Sequence, residues 1–465
     1  MVTLKSKFCS VPLAACAAIV FMTVGGCKPG NKTAKNLPNI VVITLDTLRA
    51  DRLGTYGYFR DTSPSLDQFA RESVVFDRCL APMATTLPSH TTLFTGTYPI
   101  EHGILANVQH GGYRFKTSSR LRSFAEMARD AGYQTAGFIS AAPLKIGTGI
   151  EAGFQTYDQP NANKERSAGA TTQAALKWLT QRDNGPYFLW VHYFDPHEPY
   201  AAPPPFDSMF KADDQLEEYL SKRRFFEQAP RPTGRLVQAK PANDAYDGEV
   251  RYMDEQVGRL LDHLRNLDRW TETIVVILGD HGEGLCQHNE AGHGYIYDEQ
   301  LHVPLMMRIP NHQPRRIAIV MSIADVLPTL LGMTPELPFP EFTAQASGAN
   351  VLASDYTARP VFAQNSVRNR SDHQQPTYAM TEDDWKFVYQ VGGQSALYHL
   401  KNDPFELENV YDRFSEIAES RKQQILARIA EYQDRAMQFK EGENQTPEPL
   451  DPRLVEELRG LGYVE

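Results

Sequence analysis

The sequence predicts an α/β fold built on a doubly wound, mainly parallel sheet, with a smaller C-terminal α+β subdomain. Three observations carry this prediction. Near-continuous apolar runs at 39–45, 187–194, 273–278 and 303–309 have the pattern of strands buried on both faces of a sheet. Stretches with helical spacing lie between them. Two of the runs end on acids, Asp46 and Asp280, where an open parallel sheet binds its ligands.

The elements follow in order. Lys5 and Lys7, then the short apolar stretch Val11 to Val24, read as a leader rather than as part of the fold. Val24-Gly25-Gly26-Cys27 resembles a bacterial lipoprotein cleavage box, so residues 1–26 are expected to be a signal peptide. Cys27 is then expected to carry a lipid, with 27–37 as a tether. That places the chain on the periplasmic or outer side of a bacterial cell envelope, with the membrane as a partner.

From residue 38 the core begins with the first apolar run. Ser63-Pro64 marks a helix start ahead of Leu66, Phe69 and Ala70. Leu121 to Ala131 reads as a second helix ended near Gly132. Val250, Met253, Val257, Leu260, Leu261 and Leu264 place a long helix over about 244–267. Residues 201–241, rich in Pro and charge, read as a functional cover or a disordered insertion. The main domain is assigned to 38–335. Residues 336–440 form the smaller subdomain, with an antiparallel pair at 385–389 and 396–400 and a helix from Ser415 to about Phe439. Residues 441–465 are a Pro-rich tail.

Net charge is −10, so the basic footprint of a nucleic-acid binder is missing. Of five cysteines only Cys79 and Cys286 fall within the predicted fold; they form one bridge or remain buried thiols.

Four separated residues point to one metal centre: Asp46, Thr86, Asp280 and His281. Carboxylates mixed with imidazole favour Zn²⁺ or Mn²⁺ over Ca²⁺, which prefers an all-oxygen shell. Pro88 sets a helix start beside Thr86, and the free N–H groups of such a start favour an anionic ester in front of the hydroxyl. A hydroxyl held on a cation is a competent nucleophile at neutral pH.

The stretches Pro38 to Gly57, Thr86 to Gly96, Phe194 to Tyr200, Gly279 to Glu283, Tyr297 to Pro304 and Leu397 to Pro404 resemble the sulfatase family of the alkaline phosphatase superfamily. The resemblance implies a metal-dependent hydrolase of phosphate or sulfate esters. Asp46, Asp280 and His281 match metal ligands and Thr86 the nucleophile. His90 stands where the family has an arginine that steadies the nucleophile. Asn107, His197 and His293 match substrate-contacting groups, the histidines as donors to ester oxygens or to the leaving group. Each also reads as a turn, pairing or loop-supporting residue.

The departures bear on mechanism. Sulfatases carry Cys or Ser, oxidised to formylglycine, where Thr86 stands, and the Cβ methyl of Thr prevents that oxidation. The usual Gly-Lys is Phe138-Ile139, and Asp46 is followed by Thr47 rather than a second Asp. Phosphodiesters and phosphonate esters are therefore the favoured substrates, as small molecules or as glycan or lipid esters. Two other readings stand beside this one: transfer of a phospho group to a sugar or lipid hydroxyl, and a binding protein on a decayed enzyme scaffold.

Overall fold

The computed structural model describes residues 37–107, 114–161, 165–211, 213–230, 236–365 and 375–440, together with residue 452. The predicted leader, Cys27 with its tether to residue 36, and nearly all of the 441–465 tail lie outside the described residues. The described residues belong to one compact unit. Among the described residues no helix is long and apolar enough to cross a membrane.

Ten strands precede the C-terminal region: β1 (Asn39–Leu45), β2 (Val74–Leu80), β3 (Gln134–Phe138), β4 (Thr156–Asp158), β5 (Tyr187–Tyr193), β6 (Gln228–Pro230), β7 (Leu236–Gln238), β8 (Thr273–Gly279), β9 (His302–Arg308) and β10 (Arg315–Ser322). Eight of them form one sheet in the order β10-β2-β9-β8-β1-β5-β3-β4. All run parallel except β9, which is antiparallel to both β2 and β8. The run at 303–309 is therefore a strand, but a reversed one: the short helix Asp298–Leu301 leads directly into it.

β1, β5 and β8 are buried along their whole lengths, which is why their sequences lack polar alternation. Their side chains feed two cores, one per face. Ile40, Val42, Phe188, Trp190, Ile274 and Val276 point to one; Val41, Ile43, Leu189, Val191, Val275 and Ile277 point to the other. The second face is covered by the 27-residue helix Ala239–Arg265, which starts a turn earlier than its apolar spacing indicates. The helix expected at 121–131 spans Phe124–Asp130, because Ser123 and Glu126 form a capping box that sets its start.

Within 201–241 the chain forms the helix Asp214–Ser221 and the β6–β7 hairpin rather than an open loop. The C-terminal part adds a four-stranded antiparallel sheet, β11 (Val361–Gln364), β12 (Thr377–Glu382), β13 (Trp385–Gln390) and β14 (Ala396–His399). The helix Ser415–Lys440 packs on it through Ile425, Ile429 and Tyr432. Arg435 on that helix pairs with buried Glu101 at 2.6 Å. Cys79 and Cys286 are both buried free thiols.

Candidate active site

β1 and β8 are adjacent and in register, Leu45 opposite Gly279, so Asp46 and Asp280 leave neighbouring strands at the same level. This brings together two acids separated by 234 positions. Gly279 and Gly282 bracket the Asp280-His281 pair for steric reasons: a Cβ would lie 2.7 Å from the Leu48 carbonyl oxygen at the first and 2.1 Å from that of Glu299 at the second. Thr47 adopts a left-handed backbone (φ 55°), a costly conformation for a β-branched residue. Two bonds hold it there: its N–H donates to Asp280 Oδ1 (3.1 Å) and its carbonyl accepts from the Tyr246 hydroxyl (2.7 Å).

Asp46, Asp280 and His281 converge. His281 Nε2 lies 3.6 Å from Asp46 Oδ1 and 3.6 Å from Asp280 Oδ2. All three atoms are buried and have no hydrogen-bond partner. The Nδ1–H of His281 donates to the Gly282 carbonyl (3.0 Å), which leaves Nε2 as a lone pair aimed between the carboxylates. Burial, then the charge of Asp280, pushes the Asp46 carboxyl well above the usual range; burial does the same to Asp280 and holds His281 down to about 3. Two acids that resist ionisation beside a neutral imidazole form a site that a divalent cation satisfies, since its charge reverses the penalty on both carboxylates. The residues fit a metal.

Thr86 opens the buried helix Thr86–Thr95, which ends at Gly96 (φ 70°). Three bonds fix its start against this centre. Ser89 Oγ donates to the Asp280 carbonyl (2.7 Å), Asn107 Oδ1 accepts from Leu87 N–H (2.9 Å), and His90 Nδ1–H donates to the Thr86 carbonyl (2.8 Å). The same His90 Nδ1 is 3.6 Å from Asp280 Oδ2. His90 Nε2 then accepts from the Thr44 hydroxyl (2.9 Å), which itself accepts from Trp190 Nε1–H (2.9 Å). Burial lowers His90 to about 4, so it is neutral and locked in one tautomer.

His197 and His293 stand beside the centre. His197 Nδ1–H donates to the Glu198 carbonyl (2.5 Å) and His293 Nδ1–H to the Ala84 carbonyl (3.0 Å). Their Nε2 atoms face each other at 3.3 Å, and the His293 ring lies 4.5 Å from that of His281. With both Nδ1 protons used on carbonyls, a bond between the Nε2 atoms requires one additional proton, shared by the pair.

All eight residues singled out in the sequence thus meet in one region. Asn107 is tied to the helix start beside Thr86 through its Oδ1. Phe138 and Ile139, at the position of the missing lysine, are buried apolar residues. Sequence reasoning missed His192, Thr44 and Trp190. A histidine in Tyr-Phe-Leu-Trp-Val-His-Tyr reads as one polar interruption of a core strand, and only the pairing of His192 with Thr44 across β5 and β1 brings it to Asp46.

The Sulfatase family model matches residues 38–336, and that of the N-sulphoglucosamine sulphohydrolase C-terminal region matches 288–434. The uncharacterised sulfatase YidJ of Escherichia coli K12 is 24% identical over 435 residues, covering 82% of this chain and 84% of its own. The multifunctional alkaline phosphatase superfamily protein PehA of Trinickia caryophylli is 23% identical over 470 residues, covering 80% and 91%. Among solved structures, the phosphonate monoester hydrolase of Agrobacterium radiobacter superposes with a TM-score of 0.67 at 20% identity, covering 85% of this chain and 96% of that one.

Proposed function

This chain belongs to the sulfatase family of the alkaline phosphatase superfamily and is an ester hydrolase, and from that premise we propose that it cleaves phosphodiesters or phosphonate monoesters with Thr86 as nucleophile. The observation that carries the reading is the convergence of three partnerless buried atoms, on Asp46, Asp280 and His281, tied through Ser89 to a helix that begins at a residue whose hydroxyl carbon cannot become an aldehyde.

Asp46, Asp280 and His281 would hold the cation, with the Thr86 hydroxyl as a fourth protein ligand. When bound, the cation supplies Lewis acidity and lowers the pKa of a coordinated hydroxyl; carboxylate with imidazole suits Zn²⁺ or Mn²⁺. The chain's own groups do the rest. His90 fixes the backbone of Thr86 through its carbonyl. Thr86 Oγ, its proton given up to solvent, attacks phosphorus, forming the Thr86 ester as the bond to the leaving oxygen breaks. The proton shared by His197 and His293 passes to that oxygen. Water then attacks the Thr86 ester: its hydroxyl stays on phosphorus in the product acid, its proton returns to the histidine pair, and the Thr86 oxygen leaves deprotonated, as it entered the cycle. A hydrated aldehyde sulfated on one oxygen can expel sulfate as its second hydroxyl loses a proton and the aldehyde re-forms. Thr86 offers no second hydroxyl for that route, which favours phosphorus, where a water can displace the enzyme oxygen in line.

The test is a screen of the purified chain against aryl phosphodiesters, phosphonate monoesters, phosphate monoesters and aryl sulfates with Zn²⁺ or Mn²⁺. Turnover highest on the diesters and phosphonates, and abolished in Thr86→Ala, is expected. Turnover of sulfates alone, or an active Thr86→Ala, would overturn the reading.

A further inference from the structure

His197 stands between two backbone anchors. Before it, Asp195 is buried, and its Oδ2 accepts from the N–H of Ala168, the first residue of the helix Ala168–Gln181 (2.8 Å). After it, Ala201 N–H donates to Oε1 of Glu249, a residue of the long helix Ala239–Arg265 that is only 3% exposed. The segment is tightly wound at its start, where His197 N–H donates to the Phe194 carbonyl (2.8 Å) and the His197 ring stacks on that of Phe194 at 4.6 Å. The Asp195 and Glu249 carboxyls are themselves in hydrogen-bond contact. Both anchors therefore converge on one pair of acids at the neck of the segment, with His197 beyond it.

A carboxylate has no proton to donate, so two ionised acids cannot bond to each other. Among the described residues no lysine, arginine or histidine forms an ion pair with either acid, and each is the one charge that bears on the other. Tyr193 of β5, Tyr252 of the long helix and Tyr200 of the segment also border this neck; Arg166 and Arg259 act on Tyr193 and not on the pair. Burial, then the charge of Asp195, pushes Glu249 up to about 9, and burial raises Asp195 as well. Desolvated carboxyls side by side retain one proton between them, because they cannot both ionise. The acid–carboxylate bond that results is charge-assisted and strong.

We propose that Glu249 is a positioning residue for His197: it shares one proton with Asp195, and this bond closes the neck of the 195–201 segment so that His197 is held against His293. The proposal rests on the reading of the His197–His293 pair as the acid that protonates the leaving oxygen. Glu249 touches neither ester nor cation. It acts through the backbone, with Oε1 holding Ala201 while the shared proton ties the same side chain to Asp195. Loss of that bond leaves two facing negative charges, or a cavity, where the segment is now pinned.

The experiment compares esters on the metal-loaded enzyme, since an acid matters only to a leaving oxygen that needs a proton. In Glu249→Leu, kcat on an alkyl aryl phosphodiester with a poor leaving group should fall about 10- to 100-fold with KM little changed, while a nitrophenyl diester is hardly affected. Glu249→Gln, whose amide donates to Asp195 and still accepts from Ala201, should restore most of the loss. Infrared difference spectra of wild type against Glu249→Gln should show a protonated carboxyl at neutral pH that disappears as pH passes about 9. Equal slowing of both esters in Glu249→Leu, no slowing of either, a Glu249→Gln as slow as Glu249→Leu, or no protonated carboxyl at neutral pH each overturns the proposal. His197→Ala separates the two failures: if it too lacks leaving-group dependence, the reading of the histidine pair as acid falls as well. Should Glu249→Leu fail to fold by circular dichroism, the infrared band and the Glu249→Gln rates decide.

Discussion

Replacing Thr44 by Val tests the relay that holds the proposed nucleophile. Thr44 is fully buried, and its one hydroxyl serves two partners: it accepts from Trp190 Nε1–H and donates to His90 Nε2, each at 2.9 Å. Val has nearly the same shape, so no cavity forms and the change is confined to hydrogen bonding. An indole N–H and an imidazole nitrogen are left buried without partners, at about 1–3 kcal/mol each, or roughly 2–6 kcal/mol together. With an unfolding entropy of ~2 cal/mol/K per residue, the melting temperature of a chain this size falls by roughly 1 °C per kcal/mol, hence by roughly 2–6 °C. The kinetic effect should exceed what that loss implies. His90 no longer has its tautomer fixed, so its bond to the Thr86 carbonyl weakens and the hydroxyl wanders. A displacement approaching 1 Å costs on the order of 100-fold. We expect kcat to fall about 10- to 100-fold with KM little changed, and Thr44→Ser to restore most of both. Calorimetry and steady-state kinetics on an aryl phosphodiester decide it. A Thr44→Val enzyme with wild-type Tm and kcat would show that the relay positions nothing.

Thr86→Ala should remove all turnover while binding as much Zn²⁺ or Mn²⁺ as the wild type to within a few-fold in affinity, measured by calorimetric titration, since three of the four ligands remain. Asn107→Ala removes the acceptor for Leu87 N–H and should cost about 0.5–2 kcal/mol in denaturant unfolding, with a drop in kcat that Asn107→Asp partly restores. Chelation should lower the Tm and abolish activity, and metal at 100-fold over its Kd should return about 3 kcal/mol of stability; a chain whose Tm ignores both treatments has no such centre. Acid should destabilise the fold through His102. Burial and then the charge of Lys440 hold His102 to about 3, below its ordinary value near 6.5, so its contribution is complete above pH 6.5 and is lost as pH falls towards 3. His102→Gln should flatten the Tm profile between pH 6 and 4 by about one proton's worth of slope, 1.4 kcal/mol per pH unit.

How much of this was legible follows from which interactions are local. β1, β5 and β8 announce themselves because a strand buried on both faces must be apolar throughout, and their ends follow from the abrupt change at Asp46 and Asp280. The direction of β9 is not written in its composition; an apolar strand reads the same whichever way it runs. β11 and β12 escaped notice because β11 is only four residues long and β12, Thr377–Glu382, is polar at both ends. Asp46, Asp280 and His281 were legible as chemistry because each sits at a strand end. His192 was not: its meaning depends on register with Thr44, and register is a tertiary fact.

The same contrast bears on what replaced the family's missing cations. A buried arginine and lysine would supply permanent charge beside two carboxylates. This chain has His90 in one position and apolar Phe138-Ile139 at the other. His90 cannot substitute as a cation, since burial holds it to about 4 and both its nitrogens are already bonded. His192 cannot either, because burial and then the neighbouring His90 drive it well below its ordinary value. Neutral imidazoles around paired acids are poor electrostatic partners for an anionic ester but good metal donors. The substitutions of Arg by His and of an oxidisable residue by Thr therefore point in one direction. On the proposed reading, a site without fixed organic charges and without an aldehyde would draw its positive charge from metal and its nucleophile from an ordinary hydroxyl.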